Sequence, residues 1–555
     1  MKIPLPKDGP RGITDIGLLQ ELMIELLNEL AEAREQLAQS QDQLQAALDE
    51  INRLKKEKGR PKFSSTKPKG KVKKLPKTKS SSDSESSPTK EFSSPTIDRV
   101  ELVNTRPDGL PDDAQFKGYR SVIQRDIRVV RDNVEYRISR WYSPRMGKTY
   151  EATLPDSYRG QIGSNLLSLV QMLHHCGDMT HGRISDLLTH LGIPLSKGGI
   201  SNMLTQSEWV EAEQADLLKA SLQASPYVQL DSTMSKQAGE RLHTQIISGQ
   251  YFSLFYTLQG RSRMDVYAAL QGQSRQQVRL AYTPLAIDRM KQALVSKKHL
   301  AFMEQSFSLG QRMTLTELEA IFDKEAVFAK TNKVRRSVIA GALAAGYYHE
   351  QTEVCRAKYI MTDEAAEYGG VAATSHMLCW IHEIRHYRKM VPRINYHRNI
   401  LADFMERLWQ FYGRIKSYKD LSAENLPSQK QAIVKTFNEL FNGQTDYAAL
   451  NKVMLQTQEK AVQLLAFLDY PAFPLHNNVA ERGARRVVRK RDVSFHTWSE
   501  RGTKIRDAFM SLHQTANKLG VSFMDYLLDR NSGKSGNKTL AELVTIAYRK
   551  SSTDF

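Results

Sequence analysis

Three acidic residues, far apart in the chain, stand at positions typical of a metal centre. Asp231 and Asp363 each end a short β-rich stretch. Glu481 lies in the first turns of a helix that Asn477 or Asn478 would cap. Taken singly, each acid is also an ordinary choice for a cap or a helix dipole. Brought together, carboxylates repel one another unless a cation neutralises them, and hard oxygen ligands favour Mg²⁺ or Mn²⁺.

A pair of such ions performs a specific reaction on nucleic acids. The ions activate a water or a 3′-hydroxyl and stabilise the leaving oxygen in an in-line attack on a phosphodiester. The composition suits a polyanionic substrate, because 79 Lys and Arg against 61 Asp and Glu give a net charge of +18. Nucleic acid is therefore the first expected partner, and an anionic membrane surface is the second.

The helix that carries Glu481 is strongly basic. Arg482, Arg485 and Arg489 recur at the spacing of one helix face. Three further cations lie beside them: Arg486, Lys490 and Arg491. Phosphates led along this basic stripe would arrive at the metal ions. The alternative is a solvated charged face, although six cations within ten residues repel one another.

The length and composition limit the class of protein. The 555 residues predict three or four domains, and 40% hydrophobic with 25% charged residues is ordinary for a soluble chain. The longest nearly unbroken small or apolar run, Val338–Tyr348, has 11 residues, well short of the roughly 20 that a membrane helix needs. Three cysteines cannot build a disulfide framework, and the first ten residues lack an apolar signal segment. We expect no membrane segment and a reducing cytoplasm.

A helix-turn-helix pattern lies upstream of the acids. An apolar stripe ends at Leu191, a Gly-Ile-Pro-Leu turn follows, and Ser196 is placed to cap a second helix. That helix would carry Lys197, Ser201 and Asn202 toward a DNA groove. Two helices joined by a Gly-Pro turn also occur in many proteins that never touch DNA.

The first hundred residues combine a heptad repeat with a basic segment. Apolar residues recur every seven positions from Ile16 to Ile51, which predicts a coiled coil that pairs with another chain; the alternative is a helix packed on its own domain. From Lys55 to Lys79 there are 12 Lys or Arg and one acid. This segment is predicted to be a disordered linker. It is either a tail that binds DNA without sequence specificity or a solvated spacer.

Longer motifs surround these residues. They are Pro474-Leu-His-Asn-Asn-Val-Ala-Glu481-Arg482, Trp498-Ser-Glu-Arg-Gly502, Cys379-Trp380-Ile-His382-Glu-Ile-Arg385, Val228-Gln-Leu-Asp231 and Leu191-Gly-Ile-Pro-Leu-Ser196. In this order they resemble D-D-E transposases of the insertion-sequence sixty-six family. The resemblance covers most of the chain, and the Asn-Asn-x-Ala-Glu-Arg and Cys-Trp-x-His blocks are its specific parts.

The resemblance implies a fold and an activity. It implies a ribonuclease-H-like core in which Asp231, Asp363 and Glu481 hold Mg²⁺ or Mn²⁺. The enzyme would bind the terminal inverted repeats of its element, free a 3′-hydroxyl and join it to target DNA. It would act in the bacterial cytoplasm at the nucleoid, as a homo-oligomer, with small accessory proteins of the same element.

Cys379 and His382 have Cys-x-x-His spacing, yet we expect no zinc. A structural zinc site needs four ligands in paired clusters, and the other cysteines are scattered. His382 and Arg385 are instead candidates for support of the active site, with a satisfied core histidine as the alternative for His382. The sequence also departs from the family, which commonly has a cysteine-rich module near residues 100–155. Ser232 and His476 stand where the family usually has Glu and Asp.

The expected fold class is α/β, a ribonuclease-H-like core with helical insertions after a coiled coil, a small β-rich module and a helix-turn-helix-like segment. Within the β-rich module, a hairpin is predicted around Asp132-Asn133. The expected domains are 1–15 a tail, 16–58 the coiled coil, 59–98 the linker, 99–158 the β-rich module, 159–222 the DNA-binding helices, 223–530 the catalytic domain with inserts near 262–353 and 395–468, and 531–555 a C-terminal tail.

Two other functions remain open from the sequence. One is a catalytically inactive DNA-binding protein or repressor derived from a transposase. The other is a ribonuclease-H-like nuclease that acts on RNA or DNA junctions without specificity for repeat ends. Mg²⁺-dependent nicking distinguishes the first from a transposase, and competition between terminal repeats and random duplex distinguishes the second.

Overall fold

The structure is a computed structural model that divides into two compact units, residues 1–38 with 130–555, and residues 39–129. It describes scattered positions between 17 and 116 and then residues 119–553, with gaps at 128, 156–157, 159, 208, 352–354, 373, 422–424, 472 and 534–535. The described residues of the second unit form neither helix nor strand. The predicted linker, residues 59–98, lies outside the described residues except for Ile97.

The first described element belongs to the predicted coiled coil. Residues 23–30 are helical and form α1. Met23, Leu26 and Leu30, which belong to the heptad seam, are exposed. Asn28 accepts a hydrogen bond from the backbone N–H of Ala448 (3.2 Å), so α1 also contacts its own chain. Pairing with another chain stays a prediction, and residues 37–58 lie outside the described part.

The hairpin lies later than predicted. Its strands are β1 (Arg140–Ser143) and β2 (Lys148–Glu151). The predicted hairpin around Asp132-Asn133 is wrong, because the described residues from 129 to 139 form no strand. The turn between β1 and β2 contains Gly147, which adopts a φ of +59° that glycine tolerates. The predicted hairpin was based on alternating apolar residues and had no glycine at its turn.

Four helices follow, and the first three of them pack around a small apolar core. Ser196 caps the third of these helices by accepting a hydrogen bond from the backbone N–H of Gly199 (3.0 Å), as the sequence predicts. Ile184, Leu188 and Ile200 are fully buried between the helices. The helices are α2 (Ser164–His175), α3 (His181–His190), α4 (Lys197–Thr205) and α5 (Trp209–Ala224).

A five-stranded mixed sheet is the centre of a mixed α/β fold. The described residues of this part of the chain form seven strands, of which five make up the main sheet. They are β3 (Val228–Gln237), β4 (Glu240–Ser248), β5 (Ser253–Leu258), β6 (Arg279–Ala281), β7 (Arg312–Thr314), β8 (Tyr359–Thr362) and β9 (Ser375–Leu378). The main sheet has the order β5-β4-β3-β8-β9, antiparallel from β5 to β3 and parallel from β3 to β9, whereas β6 and β7 pair only with each other.

The region between β5 and β8 packs on the main sheet. Its longest helix carries the apolar run that ends at Tyr348, and that run is buried in the same core as the sheet residues Leu230 and Leu254. The helices of this region are α6 (Arg263–Gln271), α7 (Pro284–Gln292), α8 (Lys297–Ser306), α9 (Leu315–Lys324) and α10 (Lys333–Glu350).

The helices after β9 form a second core and then return to the sheet. Trp380, Phe404 and Phe437 are buried in the second core. The helices are α11 (Trp380–Lys389), α12 (Asn395–Lys416), α13 (Leu426–Phe441), α14 (Ala448–Glu459), α15 (Ala461–Leu464), α16 (Asn478–Ser494), α17 (Glu500–Leu519), α18 (Phe523–Ser532) and α19 (Leu540–Thr553). Among the described residues we find no helix whose length and apolar character would suit a bilayer.

The predicted C-terminal tail is a packed helix. In α19, Leu540, Val544 and Tyr548 are buried, at the i, i+4, i+8 spacing of one helix face. The hydroxyl of Ser225 donates to Tyr548 Oη (3.0 Å). The interpretation of residues 531–555 as a tail was wrong because it overlooked this apolar stripe.

Candidate active site

Asp231 stands where two strands of the sheet part. The sequence predicted Asp231 at the end of its strand, but the structure places it within β3. The strand continues to Gln237 because it remains paired with β4. The parallel partner β8 pairs only with Val228 and Gln229. Asp363 directly follows β8. Since parallel strands end at the same edge of a sheet, Asp231 and Asp363 are brought to one side.

Glu481 reaches the same place from the first turn of α16. Ala480, Gly483 and Val487 are buried on one face of α16. Ala480 and Val487 pack in one cluster with Ile246 and Phe255 of the sheet. A Cβ on Gly483 would lie 2.8 Å from Ile246 Cγ2. The helix therefore approaches the sheet at a distance that only glycine permits at this position.

Asn477 fixes the start of α16, although its side chain is not the cap that the sequence predicts. It occupies the N-cap position but makes no capping hydrogen bond. Its amide Nδ2 instead donates to the Leu230 carbonyl (2.7 Å), and its backbone N–H donates to Cys379 Sγ (3.3 Å). Gln229 Oε1 accepts from the backbone N–H of Val479 (3.0 Å). Sequence reasoning missed this positioning role, for which the paired asparagines before Glu481 were the available signal.

The charges of Asp363 and Glu481 act on the carboxyl group of Asp231. Burial raises the pKa of Asp231 to about 7, the backbone N–H of Ser232 opposes this rise, and the charges of Asp363 and Glu481 add to it. Glu481 Oε1 is a buried oxygen without a hydrogen-bond partner among the described residues. A buried, mutually repelling set of carboxylates with an unused oxygen fits a divalent cation. In the described part of the chain, the three carboxylates do not all lie within 4.8 Å of one another.

The two predicted supporting residues both lie beside Glu481. His382 Nδ1 is 3.8 Å from Glu481 Oε1, and Arg385 is 3.6 Å from Oε2. Arg385 also donates to His382 Nε2 (3.0 Å). Burial and then the charge of Arg385 lower the pKa of His382, so the neutral imidazole is favoured at pH 7. Both side chains are therefore placed to orient the carboxylate of Glu481.

Cys379 completes a potential three-ligand group. Its sulfur, a ring nitrogen of His382 and an oxygen of Glu481 all lie within 4.8 Å of one another. Burial raises the pKa of Cys379, which favours the thiol over the thiolate that zinc requires. The absence of zinc stays a prediction.

A second group of metal-ligating side chains already contains a lysine. Glu364, Glu383 and His386 have ligand atoms within 4.8 Å of one another. Lys460 Nζ lies 2.6 Å from Glu364 and also contacts Glu383. This group is therefore an ion-pair cluster that connects α11 to Lys460, since a cation is already in place.

The basic stripe on α16 is divided between the surface and the interior. Arg482, Arg485 and Arg489 are exposed, as the sequence predicts for a DNA-facing surface. Arg486 is half-buried and Lys490 is buried, so the structure corrects their prediction as DNA contacts. Arg491, half-buried, donates to the Met234 carbonyl (2.6 Å), which fastens α16 to β3.

Arg486 and Lys490 bind α16 to the helical region that precedes the sheet. Arg486 donates to the Asp178 carboxylate and to the His175 carbonyl (3.0 Å). Lys490 Nζ donates to the His174 carbonyl (2.5 Å) and lies 3.6 Å from Asp178. Burial lowers the pKa of Lys490 to about 8. Both charges are therefore used inside the protein and are withdrawn from DNA.

Asp178→Asn is expected to lower the free energy of unfolding by about 2–4 kcal/mol, because it leaves two inward-facing cations without their anion. Urea denaturation followed by circular dichroism measures the change. Asp492→Asn, an exposed carboxylate on α16, is the control and should change stability by less than about 0.5 kcal/mol. Equal stability of the two variants would contradict the role of Asp178.

The three predicted DNA contacts of the helix-turn-helix-like segment lie on α4. Lys197 and Asn202 are exposed, and Ser201 is half-buried. The placement leaves Lys197 and Asn202 free to reach a surface ligand. Their contact with DNA stays a prediction.

Comparison with known proteins identifies part of the chain. Residues 313–505 match the transposase IS66 family, which confirms the resemblance for this domain and includes Asp363 and Glu481. An uncharacterized protein of Sinorhizobium fredii (strain NBRC 101917 / NGR234), y4jO, is 29% identical over 320 residues, 57% of this chain and 94% of that protein. No solved structure matches the chain.

Proposed function

We propose that this chain, whose residues 313–505 are an IS66-family transposase domain, binds the terminal inverted repeats of an insertion sequence and catalyses DNA strand cleavage and strand transfer. The observation that carries the proposal is the approach of three acids from separate elements. Asp231, Asp363 and Glu481 come from β3, the end of β8 and α16, and their charges interact. A nuclease centre needs such an arrangement.

The fold supports this assignment. The order β5-β4-β3-β8-β9, antiparallel on one side of β3 and parallel on the other, is the arrangement we assign to a ribonuclease-H-like core. The regions 262–353 and 395–468 are then insertions into that core. The first packs on the sheet, and the second contributes to a separate apolar cluster.

Asp231, Asp363 and Glu481 would hold Mg²⁺ or Mn²⁺. When bound, such ions activate the attacking oxygen and stabilise the leaving one. The chain supplies the rest of the machinery. Arg385 and His382 orient the Glu481 carboxylate, and Asn477 holds the start of α16 against β3.

DNA would reach the acids over two basic surfaces. One is the exposed part of α4, with Lys197 and Asn202, and the other is the exposed stripe Arg482, Arg485 and Arg489 of α16. The coiled coil would pair two chains so that two element ends are held before cleavage. We also expect the small accessory proteins of the same element as partners, and the cytoplasm as the site of action.

Cleavage and joining of end-containing duplexes test the proposal. Oligonucleotides that carry the terminal repeats of the encoding element are incubated with the protein and Mg²⁺, Mn²⁺ or EDTA. We expect a nicked strand with a free 3′-hydroxyl, its joining to target DNA, and neither product in EDTA. Binding without nicking would instead identify an inactive DNA-binding protein. Cleavage without preference for repeats over random duplex would identify a nuclease.

Arg489→Ala is expected to weaken DNA binding uniformly across sequences, because an exposed arginine contacts phosphate. The slope of log K against log salt concentration should become shallower by about 0.9 for the lost contact. Fluorescence anisotropy at several salt concentrations measures it. Lys435→Ala on α13, whose side chain is 79% exposed, is the matched control. An unchanged slope in Arg489→Ala would remove this residue from the DNA surface.

A further inference from the structure

Two aromatic side chains project from the loop between α16 and α17. Phe495 is 72% exposed and Trp498 is 79% exposed. Both follow directly on the basic helix that carries Glu481. Large apolar side chains at such exposure, beside a charged surface, indicate a contact that the isolated chain does not make.

The loop is held in a strained conformation. Phe495 has φ +57° and ψ −66°, a γ-turn geometry that is rare for a residue with a side chain. The backbone N–H of His496 donates to the Ser494 carbonyl (2.7 Å), and the His496 ring packs edge-on against Trp498 at 4.5 Å. Strain of this kind persists only where surrounding contacts enforce it, and it concentrates at functional sites.

The enforcing contacts come from β3. The backbone N–H of Ala238 donates to the Thr497 carbonyl (2.7 Å), and Thr497 N–H donates to the Lys236 carbonyl (3.4 Å). Thr503 at the start of α17 donates to Gln237 Oε1 (2.8 Å). The loop is thus fixed to the strand that carries Asp231. Phe495 and Trp498 are presented rigidly, which lowers the entropy cost of binding.

The loop follows one proposed DNA surface, on α16, and precedes a contact with the helix that carries the other, α4. Arg501, three residues beyond Trp498, donates to the carbonyl of Thr205 at the end of α4 (3.3 Å). Fourteen helical steps separate Glu481 from Phe495, roughly 21 Å at 1.5 Å per residue. That span corresponds to about six base steps of DNA at 3.4 Å each.

We propose that Phe495 and Trp498 stack on DNA bases that are unpaired or unstacked about six base steps from the cleavage position, an inference that rests on the proposed transposase function. Aromatic rings bind exposed bases regardless of sequence. The neighbouring cations favour a nucleic acid over a second copy of this chain, which has the same net charge of +18 and the same basic helix.

The test compares binding of a fluorescein-labelled paired duplex with binding of the same duplex carrying unpaired ends, in EDTA so that no cleavage occurs. The wild-type protein should prefer unpaired ends. Phe495→Ala and Trp498→Ala should each lose about tenfold in affinity for unpaired ends and keep their affinity for the paired duplex. Trp498→Phe should retain the preference. Trp409→Ala, which removes a partly exposed indole on α12, is the control.

The outcomes separate this proposal from the proposed function. If the wild type cleaves repeat ends but shows no preference for unpaired ends, base stacking is refuted and the transposase function stands. If the wild type binds neither DNA, both fail. If the alanine variants bind both DNAs normally but sediment as smaller species, the loop is a protein interface and the proposal is overturned. Thermal unfolding of each variant checks that the fold is kept.

Discussion

Asp231→Asn is expected to reduce strand cleavage and joining by about 10³-fold or more, because a metal-ligating carboxylate becomes a neutral amide. DNA affinity should stay close to that of the wild type, since Asp231 contributes no positive charge. Gel analysis of nicked and joined products from repeat-end duplexes in Mg²⁺ measures the loss. Joining at the wild-type rate would remove Asp231 from the mechanism.

The same substitution is expected to stabilise the metal-free protein at high pH. Such a stabilisation would exclude misfolding as the cause of the lost cleavage. The raised pKa of Asp231, about 7, means that the metal-free folded state prefers the protonated acid. Stability from this group is therefore present at low pH and is lost as pH rises from about 4 through 7. Asp231→Asn should accordingly raise the melting temperature of the metal-free protein at pH 8 and leave it nearly unchanged below pH 4.

A matched carboxylate provides the control for the catalytic loss. Glu500 on α17 is 71% exposed and pairs only with Lys504 at i+4 among its described ion pairs. Glu500→Gln removes the same charge with the same isosteric change and should retain full cleavage and unchanged stability. If both variants lost activity equally, the loss would reflect net charge and not the proposed site.

Local patterns in the sequence predict the elements that carry the site. The β-rich stretches before Asp231 and Asp363 became β3 and β8, and Ser196 caps α4, because strand alternation and capping depend on neighbouring residues alone. The spacing of Arg482, Arg485 and Arg489 likewise predicts their shared exposed face. These features need no knowledge of distant parts of the chain.

Contacts between distant segments were beyond such reasoning. The inward orientation of Arg486 and Lys490 depends on Asp178, which lies about three hundred positions earlier. A run of six cations gives no sign of which ones meet a buried anion, because helix spacing places several on adjacent faces. The positioning role of Asn477 similarly depends on Leu230 and Cys379. The three acids could be predicted as a set only because longer motifs around them resemble a family.

The close contact between α16 and the sheet depends on Gly483. Gly483→Ala would place a Cβ 2.8 Å from Ile246 Cγ2, and Ile246 is fully buried and cannot move aside. Overpacking costs about 1–3 kcal/mol, whereas the same substitution in an open helix gains up to about 1 kcal/mol. We expect a net loss in the free energy of unfolding of about 1–2 kcal/mol, measured by urea denaturation.

Gly483→Ala should reduce the rate of DNA cleavage more strongly than it reduces the free energy of unfolding. Glu481 lies two residues before Gly483, so a shift of α16 by even a fraction of an ångström displaces its carboxylate from Asp231 and Asp363, and misplacement of about 1 Å costs roughly 10²-fold in rate.

Two further variants test whether the losses in Gly483→Ala come from the contact between α16 and the sheet. Gly413→Ala, on an exposed position of α12 with nothing within 4 Å, should stabilise the protein and leave cleavage unchanged. Ile246→Ala removes the atom that the new Cβ would meet, so the double variant should recover about 1 kcal/mol relative to the sum of the single changes. Recovery of cleavage in the double variant would show that the packing distance of α16 sets the position of Glu481, whereas additive losses would refute this dependence.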